Sequence, residues 1–397
     1  MEIPFAESWK IKMVEPIRKS TRAEREEWLK AANYNVFQLR AEQVYIDCLT
    51  DSGTGSMSDR QWSAMMLGDE SYAGATSFYK FEETVRRILG LHYVIPTHQG
   101  RAAENVLFSF LVKEGNVIPG NAHFDTTKGH IEARKAFAID VTTDDAKDAQ
   151  LEVPFKGNVS LEKLEKVLKE NPGNVPFMVL TVTNNTVGGQ PVSMENIKAT
   201  CALCHRYGVP VVMDSARFAE NAYFIKTREP GMEDKSLREI TRMIADLFDI
   251  IYFSARKFGF ARGGAILVRD KELFHSMEDL IPMFEGFLTY GGMSVKEMEA
   301  MTVGFEETMD MDVISQGPQF IDYCVKRLDE YGVPVITPGG GLGAHIDVKE
   351  FLPHVPQSQY SACALSCALY ICGGIRGMER GTLSEEREPD GTERIAS

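Results

Sequence analysis

Four short apolar runs rich in β-branched and aromatic residues recur between positions 90 and 270, at 92–96, 177–182, 209–213 and 250–253. Helix-periodic segments separate them, at 102–113, from about Ser193 to Arg206, and at 238–247. Runs of four to six residues without polar alternation read as strands buried on both faces, and strands joined by helices of this length pair in parallel. The expected fold is therefore α/β: a mostly parallel sheet in a large domain, with its ligand site outside the carboxyl ends of the strands.

Beyond Tyr290-Gly291-Gly292 the pattern changes. Helical stretches at 295–307 and 320–331, a short strand at 333–336 and a glycine-rich turn predict a smaller α+β domain. The domain plan is an arm at 1–50 that contributes to the small domain, a large domain at 51–290, and a small one at 291–397. The turn Gly339-Gly340-Gly341-Leu342-Gly343-Ala344 resembles a dinucleotide fingerprint, but β-like residues 345–348 follow it where that fingerprint needs a helix. It reads as a tight connection between strands, which removes the main support for a nicotinamide cofactor.

Charge narrows the partners. With 57 acidic and 43 basic side chains among 397 residues the formal net charge is −14, and no cluster of Lys and Arg offers a surface for nucleic acid. No basic-then-apolar leader opens the chain and no apolar run approaches the ~20 residues of a membrane helix. A cytoplasmic protein is expected, with small molecules or further copies of itself as partners. The seven cysteines, Cys48, Cys324, Cys363, Cys367 and Cys372 among them, lie on apolar segments and read as reduced core thiols. Cys201-Ala202-Leu203-Cys204-His205 has the spacing of a haem attachment site, but it falls inside a helical pattern and reads as part of that helix.

Chemistry concentrates at the strand ends. Lys257, after Ser254-Ala255-Arg256, follows one apolar run, and Asp214 ends another 43 positions earlier. A lysine amine so placed can form a Schiff base with the aldehyde of pyridoxal 5'-phosphate (PLP), and a buried aspartate can hold the pyridine nitrogen protonated. His98-Gln99-Gly100-Arg101 lies between a strand and a helix, where backbone amides and the positive helix end favour a phosphate. Thr50-Asp51-Ser52-Gly53, Tyr72, Phe124-Asp125, Asn185 before Gly188-Gly189, and Arg217 occur in order around these.

In these stretches, and over almost its whole length, the chain resembles the β-eliminating lyases that include tryptophanase and tyrosine phenol-lyase, of the aspartate aminotransferase-like PLP fold (fold type I). The resemblance implies that Lys257 carries the cofactor and moves the α-proton, that Asp214 pairs with the pyridinium, and that Arg217 and Asn185 lie near the cofactor's O3'. It gives Gln99, Gly100, Arg101 and Ser254 to the phosphate and stacks Phe124 on the ring. Thr50 and Asn185 would contact the substrate carboxylate. Tyr72 would be an acid near the leaving group, and Tyr72 and Tyr290 would cross a subunit interface in a homotetramer. A monovalent cation, K+, would sit at Gly53 and Glu70.

The implied reaction is elimination of the aromatic side chain of an L-amino acid, leaving pyruvate and ammonia. Asp125 suits an indole N–H and favours tryptophan; Arg380, in Met378-Glu379-Arg380-Gly381, suits a phenolic oxygen and keeps tyrosine as the alternative. Three departures stand out. Arg256 replaces a lysine, residues 258–262 lack the acidic residue expected beside the cation site, and the arginine that clamps the α-carboxylate in the family would lie beyond Ser397. Arg394 lies too early for that role, so the expectation is a fragment or a shortened form, and the reading outside enzymes is a catalytically silent PLP-binding protein.

Overall fold

A computed structural model describes residues 3–5, 10, 14–52, 57–257, 259 and 261–380. The four apolar runs become strands of one seven-stranded sheet: β1 (Tyr93–Thr97), β2 (Val117–Gly120), β3 (Phe137–Asp140), β4 (Met178–Thr181), β5 (Val211–Asp214), β6 (Ile250–Ser254) and β7 (Gly264–Val268). Their spatial order is β1-β7-β6-β5-β4-β2-β3. β7 runs antiparallel to both neighbours, and the pairings from β6 through β5, β4 and β2 to β3 are parallel.

Period-two geometry sends alternate side chains to opposite faces, and both faces are dry. Met178, Leu180, Val211, Met213, Ile251 and Phe253 pack into one core. Phe177, Val179, Val212, Ile250 and Tyr252 enter the other, against Val106, Leu107 and Phe108 of the helix Gly100–Leu111. This is why the sequence shows unbroken apolar runs instead of alternation.

The crossover helices are written in the sequence by their caps. Ser236 accepts from the Glu239 amide while the Glu239 side chain returns to the Ser236 amide, which starts the helix Leu237–Ala245. Leu237, Ile240, Thr241 and Ile244 then form its buried stripe. Ser193 likewise caps Met194–Arg206. Cys201 and Cys204 are buried on that helix and burial raises both thiols, Cys204 to about 12, so they are core residues as expected. Cys48, Cys324 and Cys372 correct the expectation of core thiols, because all three are exposed.

By packing, the chain divides into a larger unit (Met1–Phe5, Ser52–Arg327 and Ile336–His345) and a smaller one (Ala6–Asp51, Leu328–Val335 and Ile346–Ser397). The larger unit includes the helix Val295–Glu307, which lies beyond residue 290. In the smaller unit Ile46–Asp47 pairs in parallel with Ile375–Arg376. Arg376 donates Nε to Asp47 Oδ1 at 3.1 Å and Nη1 to the Leu39 carbonyl at 3.0 Å, while Leu29, Val36, Leu39 and Tyr370 form the core.

Two expected strands are corrected. Residues 333–336 and 345–348 contribute only a single bridge, Val335 to Ile346, and Asp347 instead caps a short helix, Val348–Phe351. A Pro before and a helix-capping Asp after leave too few residues to form a ladder. Among the described residues no helix is long and apolar enough to cross a membrane.

Candidate active site

Register across the sheet gathers the site. Thr181, Asp214 and Tyr252 stand side by side at the ends of β4, β5 and β6, and Ser254, Gly264 and Thr97 stand side by side across β6, β7 and β1. Adjacent registered residues share a face of the sheet. Asp214 and Tyr252 therefore point the same way, toward the first turns of the helix Gly100–Leu111.

That helix begins directly after β1, with Gln99 as its N-cap residue in extended conformation. A Cβ on Gly100 would stand 2.7 Å from the Ser254 Cβ, and one on Gly264 would stand 2.8 Å from the Gln99 carbonyl carbon. The two glycines let the amide-rich turn lie directly on the end of β6. Gln99, Gly100 and Ser254 are thus brought together at a helix N-terminus, the arrangement that holds a phosphate.

Lys257 follows in the link from β6 to β7, its amide within 3.5 Å of the Ser254 carbonyl. Burial and the Arg217 guanidinium lower its ammonium to about 8, only partly offset by the Asp214 and Glu104 carboxylates. Asp214 is 5% exposed; burial and the Glu104 charge raise it, and Lys257 acts the other way. The Ala216 amide donates to Asp214 Oδ1 at 3.2 Å.

Arg217 is also buried, donating Nη1 to the Gly341 carbonyl at 3.3 Å with Glu220 at 3.7 Å. Gly341 belongs to the glycine-rich turn, which packs against the Gly188-Gly189 loop: its amide donates to the Gly189 carbonyl at 2.8 Å. A Cβ on Gly340 would meet the Gly188 oxygen at 2.4 Å. The turn's glycines serve this close backbone contact, not a pyrophosphate.

Asn185, at the start of that loop, has a buried Oδ1 with no partner among the described residues. An orphaned buried acceptor on the loop that follows β4 fits a polar ligand. With the phosphate turn and the lysine, these residues fit PLP: Lys257 for its aldehyde, Asp214 for its ring nitrogen, and Gln99, Gly100, Arg101 and Ser254 for its phosphate. Phe124 and Asp125 are half-buried at the start of the helix Asp125–Glu132, following β2.

Tyr72 stands outside this cluster. It is 72% exposed, packed edge-on to Tyr290 at 5.4 Å and against Phe287 at 5.5 Å. Glu70 accepts from Ser294 Oγ at 3.1 Å and lies 3.6 Å from Lys296 Nζ, while Gly53 lies outside the described residues, as do Gly381 and Arg394. Arg256 reaches the Ser52 carbonyl at 2.9 Å. Thr50 and Arg380 belong to the smaller unit, and Arg380 is half-buried there.

Glu104 and Tyr252 were not legible in the sequence as site residues. Glu104 is a single acid in an apolar helix, one turn past Gly100, and Tyr252 looks like any aromatic of a buried strand. Only the sheet register and the helix face place both behind Asp214.

A mostly parallel sheet with a lysine, an aspartate and a phosphate turn at its strand ends defines the chain as a fold type I PLP enzyme, in the aspartate aminotransferase-like class. Serine palmitoyltransferase of Sphingomonas wittichii shares the fold, with a TM-score of 0.61, 12% identity, and coverage of 89% of this chain and 86% of that one. The family model described as beta-eliminating lyase matches residues 47–397. A probable beta-eliminating lyase of Trichomonas vaginalis is 55% identical over 98% of this chain and 85% of its own length. A tryptophanase of Hyphomonas neptunium is 47% identical (98% and 86%), and a tyrosine phenol-lyase of Symbiobacterium sp. is 45% identical (98% and 85%). The chain belongs to the beta-eliminating lyase family and is a PLP-dependent lyase.

Proposed function

We propose that this lyase removes the aromatic side chain of an L-amino acid as the free arene, leaving pyruvate and ammonia, and that its substrate is L-tryptophan, released as indole. The observation that carries the elimination chemistry is the buried group of Lys257, Asp214 and Arg217 at adjoining strand ends. The half-buried carboxylate of Asp125, next to Phe124, supports the indole reading as an acceptor for an indole N–H. The reading for tyrosine rests on Arg380 as the donor to a phenolic oxygen.

PLP, when bound, supplies the aldehyde that takes the substrate amine and the ring that accepts the electron pair left when Cα loses its proton. Lys257 would take up that proton, which its lowered ammonium pKa permits near neutrality. Asp214 would hold the ring nitrogen, and Arg217, fixed by Gly341, would supply positive charge for the O3' oxygen. Tyr72 donates a proton to the ring carbon that leaves. Water consumes the remaining three-carbon unit, so substrate and water balance arene, pyruvate and ammonia.

In this reading the larger unit binds the cofactor. Thr50 and Asn185 are read as contacts of the substrate carboxylate. The chain works in the cytoplasm as a homotetramer with Tyr72 and Tyr290 reaching a neighbouring subunit. K+ at Glu70 would compete with Lys296, and a potassium titration of PLP affinity reads whether it binds.

The test compares indole release from L-tryptophan, phenol release from L-tyrosine, and pyruvate release from S-methyl-cysteine, whose thiolate leaves without help from groups specific to an aromatic ring. Pyruvate from S-methyl-cysteine that disappears in Lys257→Ala supports elimination. Phenol formed far faster than indole would overturn the tryptophan reading.

A further inference from the structure

The glycine-rich turn is held by its carbonyl oxygens. Lys156, 1% exposed, donates Nζ to the Asp148, Ala149 and Thr337 carbonyls at 2.7, 2.9 and 2.5 Å. Gln190, fully buried, donates Nε2 to the Pro338 carbonyl at 2.7 Å. Arg228 donates Nη2 to the Gly339 carbonyl at 2.8 Å and Nη1 to the Pro154 carbonyl at 3.1 Å, and its guanidinium stacks over the Phe224 ring at 4.1 Å. Arg217 takes the Gly341 carbonyl. The carbonyls of Thr337, Pro338, Gly339 and Gly341 thus each receive a different side-chain donor, and all of these residues belong to the larger unit.

Glycine explains why the turn needs so many donors. A Cβ on Gly339 would stand 2.8 Å from the Asp322 Cα, and one on Gly341 would stand 3.1 Å from the Glu220 Cβ, so the turn packs too closely for larger residues. Three successive glycines lose more backbone freedom on folding than any other residues would, and they bring no side chains with which to hold themselves. The restraint comes from the surrounding donors.

Those donors are expensive to place there. A buried cation is costly unless its protons are hydrogen-bonded, and Lys156 matches the three protons of its ammonium to three carbonyls. What the grip fixes is the end of the turn. The Gly341 amide is tied to Gly189, and the Gly341 carbonyl holds the buried Arg217 guanidinium by Nη1.

We propose that Lys156, Gln190 and Arg228 are positioning residues for Arg217: by gripping the turn one carbonyl at a time they fix the Gly341 carbonyl, and with it the guanidinium that serves the cofactor. The functional part of this inference rests on the reading of Arg217 as a cofactor contact.

The test uses the full chain with and without PLP, and compares Arg228→Ala, Gln190→Met and Lys156→Met, each of which removes a donor to the turn. Without PLP, the reaction of Arg217 with phenylglyoxal, located by peptide mass spectrometry, should speed up at least about threefold as the turn loosens. The PLP Kd should rise roughly three- to tenfold, as for one lost hydrogen bond, and Arg228→Lys, which keeps a donor, should restore most of the affinity. In an Arg217→Ala background the same substitutions should change the PLP Kd by less than about twofold, because their effect runs through Arg217. If Lys156→Met does not fold, the other two variants carry the test.

Equal losses of PLP affinity in both backgrounds mark a merely structural role and overturn the proposal. Arg217 labelling that the substitutions leave unchanged overturns it as well. An Arg217→Ala chain with the parent's PLP Kd sinks the reading of Arg217 as a cofactor contact instead, because the labelling rates, taken without PLP, still report whether the three donors hold the guanidinium.

Discussion

A lysine amine attacks an aldehyde only when it is neutral, so the environment of Lys257 sets how fast it can capture PLP. With its ammonium lowered to about 8, roughly a tenth of the side chains are neutral at pH 7, against about one in three thousand for an ordinary lysine. The rate of PLP uptake should rise about tenfold per unit below pH 8 and level off above it, as followed by cofactor absorbance after mixing. A rate that keeps climbing to pH 10 would show an ordinary lysine. Gly100 makes a second test: Gly100→Ala sets a Cβ 2.7 Å from the Ser254 Cβ, and the overpacking should cost about 1–3 kcal/mol and weaken inorganic phosphate and PLP alike. At this scale the sequence spoke where chemistry is tied to local context. Lys257, Asp214 and Gly100 each lie within four residues of the end of an apolar run. Glu104 and Tyr252 gain their meaning from partners 148 positions apart, which no local pattern carries.

Among the elements, those whose limits are marked by caps and long apolar stretches were the most legible. The helix expected over 238–247 is Leu237–Ala245, and its capping box supplies a direct test: Ser236→Ala should destabilise the larger unit by about 1 kcal/mol in a denaturant titration. Strands β2, β3 and β7 went unseen for separate reasons. β2 is Val-Ile-Pro-Gly, in which the proline argues against a strand; β3 is an edge strand with exposed Phe137; β7 opens on Gly264, directly after Gly263, and returns antiparallel, contrary to the crossover pattern. In the smaller unit the Arg376–Asp47 pair joins two strands of two residues each. The Arg376 hydrogen bond is the chief cause that lowers the Asp47 carboxyl, so the contribution is full above the ordinary carboxylate range and is lost as the pH falls through the lowered value. Asp47 is half exposed, so Asp47→Asn should cost no more than about 1 kcal/mol, and the cost should vanish in acid.

For the whole molecule the decisive question is which surfaces complete the site. Tyr72 lies on the surface with Tyr290 and Phe287 as ring neighbours, and in the proposed homotetramer another copy of the chain would complete it. Mixing inactive Tyr72→Phe and Lys257→Ala chains and reassembling them should restore activity, measured as arene release; no recovery would count against shared sites. PLP at a hundred times its Kd should stabilise the folded chain by about 2.7 kcal/mol, read as a shift in thermal midpoint that Lys257→Ala diminishes. One feature of the sheet reaches further. Lys257 sits between β6 and β7, which are antiparallel neighbours, so both ends of its link are pinned to the same pair of strands. Insertions or deletions within such a link leave the strand register untouched, since they need not lengthen any crossover helix. The link is nonetheless fixed from within, with Ala255 and Ala261 buried and the Gly259 carbonyl accepting from Gln61 Nε2 at 2.9 Å, so the amine is presented from a frame anchored both to one strand pair and to the helix Asp59–Met65.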